Sequence, residues 1–202
     1  MGPVALGHRR LAIIDVSDAG LQPMADVSGR YHLVFNGEIY NYVELRDELR
    51  ARGEVFVSES DSEVLLRCYM LWGAECLPRL RGMFAFLIWD DRDKILFAAR
   101  DRYGIKPLYY TALPGGIAFA SEIKQLLDLP GGTRRVNLAR AHDFLAGGMS
   151  DHTAETMFLG INQLRGGEAC TVTARQAGPG ALSISRWHRV ALPELGAIDE
   201  AA

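Results

Sequence analysis

The nine residues 82–90, GMFAFLIWD, restrict the fold more than any other stretch of the chain. Apolar side chains occupy every position from 83 to 89, so an extended backbone here presents hydrophobic groups on both faces. A strand with one solvated face alternates apolar and polar residues; a strand apolar on both faces has to be covered on both. The stretch is far too short to cross a bilayer as a helix, which takes about 20 apolar residues. The chain must therefore hold this strand inside a sheet packed above and below, and that requires a layered architecture.

The neighbouring pattern fills in the layers. ILFAARD, PLYY and IAFAS follow as further apolar runs, separated by DDRDK, DRYGIK and TALPGG, the turn-punctuated rhythm of hairpins. Upstream, residues 11–14 read as a strand ending at Asp15, and residues 31–35 as another. Asn41 followed by Glu44 reads as a capping box, with Tyr42, Leu45 and Leu49 on one helical face and a stop at Gly53. FNGEIYNY, residues 35–42, is then a strand-to-helix turn. Ser60 with Glu63 repeats the capping pattern and opens a helix through Leu65, Tyr69 and Trp72 to Gly73; a short helix over 76–80 closes at Gly82. Residues 123–129 and 137–145 read as helices, and 168–173 and 182–187 as late strands. The sum predicts an α+β sandwich, two facing antiparallel sheets with helices outside, in one domain over residues 1–187 and a tail or linker over 188–202.

Composition narrows the function classes. A length of 202 residues, 49% of them hydrophobic, suits one domain with a real core. A formal net charge of -3 without a basic block gives no footprint for nucleic acid or an anionic membrane. Cys68, Cys76 and Cys170 form no CxxC and have no histidine at metal-ligand spacing, which points to a reducing, cytoplasmic setting and to no metal. The first residues lack the basic-then-apolar profile of a signal peptide.

GHRRLAIID, QPM, FNGEIYNY, SDSEVLL, GMFAFLIWD, ARDRYGIKPLYY and ASEIKQLL stand in this order between roughly residues 5 and 187. In order and spacing they resemble the type 2 glutamine amidotransferase domain of glutamine-hydrolysing asparagine synthetases. The resemblance implies an N-terminal nucleophile hydrolase, a four-layer αββα sandwich. In that family an amino-terminal cysteine attacks the carboxamide of L-glutamine and releases glutamate and ammonia. The ammonia is used by a synthetase domain, where ATP and Mg activate the acceptor; no cofactor is implied for the amidotransferase domain itself. Carried over by position, Arg10 binds the substrate α-carboxylate, framed by the backbone around Leu11 and Ile13. Asn36 and Gly37 form the oxyanion hole, and Glu38 and Asp61 hold the α-amino group. L-glutamine and a synthetase domain are the implied partners; neither nucleic acid nor membrane is.

The residue chemistry fits those roles. An amino acid carries an anion and a cation at one carbon, so a selective site wants one guanidinium and one or two carboxylates. A tetrahedral intermediate puts charge on one oxygen, which a side-chain amide and a backbone N–H can hold. Each residue also has a plainer reading: Asn36-Gly37 as a hairpin turn, Asp61 as a first-turn acid favoured by the helix dipole, Arg10 as a surface cation. Arg100, Asp101 and Lys106 read either as a structural turn or as groups near the route to the synthetase domain. His8, His32, His142, His152 and His188 read as structural or solvent-facing.

One departure from the family pattern matters. The family's nucleophile must be the first residue, because its own α-amine is the base; this chain starts Met1, Gly2, Pro3, and the family's CGI and RGPD segments are not found. Cys68 and Cys76 fall in helical, apolar surroundings and Cys170 in a late strand. These residues are therefore expected not to hydrolyse glutamine by the family's mechanism. A sheet without its first strand is expected to leave unpaired backbone groups that favour self-association into a homo-oligomer. After Trp187 no Ser-Gly-Gly-x-Asp-type loop follows, so the ATP-dependent domain is expected outside these residues. The alternative reading is a non-catalytic glutamine-binding or scaffold module of a synthetase complex.

Overall fold

The computed structural model describes residues 3–9, 14, 17–174 and 182–191. In chain order its elements are β1 (Met24–Ala25), β2 (Tyr31–Ile39), α1 (Tyr42–Ala51), α2 (Asp61–Trp72), a 3-10 segment (Gly73–Arg79), β3 (Gly82–Asp90), β4 (Ile95–Arg100), β5 (Tyr109–Leu113), β6 (Gly116–Ala120), α3 (Ile123–Leu127), α4 (Leu138–Gly147), β7 (Ile161–Gln163), β8 (Glu168–Thr173) and β9 (Leu182–Arg186). Six strands form one antiparallel sheet in the order β1-β2-β3-β4-β8-β9, and three form another in the order β6-β5-β7.

GMFAFLIWD occupies the interior position its composition demands, with β2 on one side and β4 on the other. Phe84, Phe86 and Ile88 point to one face, where they join Leu33, Phe35 and Ile39 of β2 and the buried side of α1 and α2. Ala85 and Leu87 point to the other, where Ala98, Cys170, Leu108, Leu164 and Phe119 fill the space between the sheets. The order is therefore helices, large sheet, small sheet and α3, a four-layer α+β sandwich as expected from the sequence.

Local chemistry sets the helix boundaries. Ser60 caps α2 by accepting the Ser62 N–H at 3.1 Å, and Gly73 ends it at φ 55°. Glu63 does not complete a capping box; its carboxylate is buried and takes the N–H groups of Val57 and Ser58 and the Ser58 hydroxyl, which fixes the loop before the helix. Arg46 of α1 reaches the same loop, pairing with Glu59 and donating to the Ser60 carbonyl at 3.2 Å. Leu45 and Leu49 are buried on the face expected of α1.

Three local expectations are corrected. β2 does not end at Phe35 but continues to Ile39, so Asn36, Gly37 and Glu38 belong to the strand and only Tyr40 and Asn41 turn. Asn41 makes no cap hydrogen bond; its side chain donates to the Arg79 carbonyl at 3.0 Å and accepts the Arg81 N–H at 2.9 Å, tying the start of α1 to the approach of β3. The short helix expected over 76–80 is a 3-10 segment ending at Arg79. Pro78 inside it brings no amide donor for an α-helical ladder. The strand expected over 11–14 lies outside the described residues except for Ile14.

Candidate functional site

The site grows from the last four residues of β2. Odd-numbered residues of this strand face the helices, and even-numbered ones the second sheet, because successive side chains alternate. Asn36 stands opposite Ala85, a member of the inter-sheet core, and its side-chain amide donates to the hydroxyl of Ser121, just past β6, at 3.4 Å. Glu38 follows on the same face. Gly37, between them, faces Phe84 at a close crossing: a Cβ there would meet the Met83 carbonyl oxygen and lie 2.7 Å from the Phe84 Cα. Gly82 answers from β3, where a Cβ would meet the Glu38 carbonyl oxygen. Only glycine fits either position, and that close approach carries β2 past the Asn-Gly pair as a strand.

Asp61 enters from the first turn of α2. It is buried, and its Oδ2 accepts the N–H of Ile39, the last residue of β2, at 3.0 Å. Burial pushes its carboxyl above the usual aspartate value; the charge of Glu38 adds to this, and the N–H groups of Ile39 and Ser62 act against it. Neither carboxylate has an ion-pair partner among the described residues. Two acidic groups thus converge beside a side-chain amide with no cation to balance them among the described residues.

Of the expected site residues, the structure gathers Asn36, Gly37, Glu38 and Asp61 at one end of β2. Arg10, Leu11 and Ile13 lie outside the described residues. Three further residues position the site. Gln22, in the QPM motif, accepts the Phe35 N–H at 2.6 Å and donates to Ser62 at 3.2 Å, so it carries the sheet ladder past the short β1 and braces the first turn of α2. His8 contacts the Phe35 carbonyl at 3.0 Å, and Ser121 faces Asn36. QPM was a usable signal for Gln22, and ASEIKQLL held Ser121 without showing its contact with Asn36.

The three cysteines are free and buried. Burial pushes the thiols of Cys68 and Cys170 up to about 12, and that of Cys76 upward as well. Such thiols are not thiolates at neutral pH, and thiolate is the attacking form.

Arg100 and Asp101 take the structural reading. Arg100 is buried and donates to the carbonyls of Lys106 at 2.6 Å, Gly104 at 2.6 Å and Leu164 at 2.7 Å, and to the Gln163 side chain at 3.1 Å. Asp101 is fully buried and accepts four backbone N–H groups, from Phe84, Tyr103, Ile105 and Lys106, at 2.9 to 3.2 Å. The DRYGIK loop is wound around these two side chains.

Comparison with known proteins decides the family. Residues 1–182 match the glutamine amidotransferase domain. This chain belongs to the glutamine amidotransferase domain family. The amidotransferase domain is 42% identical over 170 residues to asparagine synthetase [glutamine-hydrolyzing] 3 of Bacillus subtilis, covering 83% of this chain and 28% of that protein. To asparagine synthetase [glutamine-hydrolyzing] 1 of the same organism it is 53% identical over 124 residues, covering 61% and 20%. The chain thus spans less than a third of the length of these curated relatives. In fold, the amidotransferase domain superposes on glutamine phosphoribosylpyrophosphate amidotransferase from B. subtilis with a TM-score of 0.61 at 21% identity, over 91% of this chain and 34% of that one.

Proposed function

We propose that the end of β2 binds L-glutamine, and that in the complete protein the domain supplies ammonia by glutamine hydrolysis to the synthetase domain of an asparagine synthetase-like enzyme. The observation that carries this reading is the pair Glu38 and Asp61, two carboxylates beside Asn36 with no counter-cation among the described residues. A substrate α-ammonium neutralises that pair and relieves the burial cost of Asp61. The carboxamide oxygen then lies toward Asn36 and the Gly37 N–H, which hold the charge it gains when the carbonyl carbon is attacked. Arg10 is the partner for the α-carboxylate.

Turnover is a separate question from binding. With the thiols of Cys68, Cys76 and Cys170 buried and held protonated, none of the three serves as the nucleophile at this site, and the 202 residues are expected to bind glutamine without releasing ammonia. The same free, buried thiols favour a reducing compartment, and on that ground we assign the domain to the cytoplasm.

Calorimetric titration of the 202-residue chain with L-glutamine tests the reading. Saturable binding is expected, weakened about 10- to 100-fold by Arg10→Ala or Asp61→Asn. A folded chain that gives no saturable heat overturns glutamine binding and leaves the scaffold role.

A further inference from the structure

A polar cavity of about 470 Å³ lies apart from the glutamine-site residues, none of which lines it. It opens where the β4–β5 loop meets the β7–β8 turn. Arg100, Arg102, Arg165 and Arg186 line it, with Tyr103 and Asp151. The walls are fixed by backbone: Leu164 donates to the Leu108 carbonyl and Gly167 to that of Asp101, both at 2.8 Å. At Gly166 a Cβ would sit 2.7 Å from the Gly104 nitrogen, so the turn and the loop touch main chain to main chain.

The charges in this cavity do not balance. Arg100 donates only to carbonyls and the Gln163 amide. Arg102 donates to the carbonyls of Leu80 and Pro78, with its guanidinium over the Trp187 ring. Arg165 offers its backbone N–H to Glu168 and has no ion pair among the described residues. Only Arg186 meets a carboxylate, Glu168, at 2.8 Å. Asp151 is the one acid among the lining residues; it accepts the Gln163 side-chain amide at 3.4 Å and forms no ion pair with the lining arginines among the described residues.

We propose that this cavity is a binding site for a small phosphate-bearing anion, distinct from the glutamine site. Its volume falls in the range of about 300 to 1,000 Å³ usual for small-ligand pockets. Every cation in it is arginine, whose fork matches phosphate oxygens in pairs; Arg100 lies in the field of Asp101, Asp151 and Glu168, while the guanidiniums of Arg102 and Arg165 have no carboxylate partner among the described residues and leave positive charge for an anion. The concave, backbone-fixed walls suit a small ligand better than an acidic protein surface. Arg100 supplies buried charge, while Arg165, exposed at the tip of the turn, has its side chain available for direct contact.

Inorganic pyrophosphate is the probe, titrated calorimetrically into the 202-residue chain at low and moderate salt. Saturable binding at one site is expected, weakening as salt rises and at least about tenfold weaker in Arg165→Ala. Arg165→Lys, which keeps the charge and loses the fork, is expected between the two. Arg134→Ala, at an exposed arginine paired with Asp128, is expected to bind like the native chain. Circular dichroism confirms that each variant is folded. The proposal is overturned if pyrophosphate gives no saturable heat, if Arg165→Ala binds it unchanged, if citrate binds more tightly, or if only a poly-glutamate peptide binds.

Discussion

Two polar motifs sit on either side of β3 at the same end of the large sheet, and they use their hydrogen-bonding capacity in opposite ways. In DRYGIK, Asp101 spends its carboxylate on four backbone N–H groups and Arg100 uses four of its N–H donations on the surrounding loop. In FNGEIYNY, Asn36 makes one long contact to Ser121, and Glu38 and Asp61 lack a cation among the described residues. A polar motif that satisfies itself holds a fold together; one with capacity to spare is waiting for a ligand.

The contrast can be broken first where it is largest. Asp101→Ala strips four N–H groups of their buried acceptor and is expected to lower stability by about 3 to 5 kcal/mol, read from the urea midpoint. A loss under 1 kcal/mol would remove the structural reading of DRYGIK. Next comes Glu38→Gln, expected to weaken glutamine binding about tenfold in calorimetry while the urea midpoint stays within about 0.5 kcal/mol.

Asp61→Asn sharpens the comparison because its two effects run in opposite directions. With its folded-state value raised by burial, Asp61 contributes most to stability when protonated, below its unfolded value, and loses that contribution as pH rises through the folded value. At neutral pH the native chain therefore carries an unfavourable charge that Asn lacks. The variant is expected to gain about 0.5 to 1 kcal/mol at pH 7, a gain that vanishes in acid, while glutamine binding falls. Urea melts at two pH values check the sign. The smallest effect is Asn36→Ala, expected within about 0.5 kcal/mol in stability because the one side-chain hydrogen bond it makes among the described residues is long and neutral.

How far the sequence could be read follows the range of the interactions. The burial of β3 on both faces was legible because the cause lies in consecutive residues. The extension of β2 through Asn36 to Ile39 was not: Asn-Gly is a strong turn signal, and what overrides it is the approach of Gly82, more than 40 positions later. Asn41 was read as a helix cap from its local spacing, yet its partners are Arg79 and Arg81. Gln22 likewise completes a ladder 13 residues on. In the site, Asn36, Gly37, Glu38 and Asp61 were placed by the motif series, while the contact of Ser121, within ASEIKQLL, with Asn36 came only with the meeting of the two sheets.

The reciprocal crossing of Gly37 and Gly82 has a consequence for how such a domain can diverge. Positions 37 and 82 have no tolerated alternatives, so the backbone donor at the site is inherited unchanged or lost with the strand pairing. Variation in what the pocket selects is channelled into positions 36, 38 and 61, whose side chains leave the sheet intact when they change.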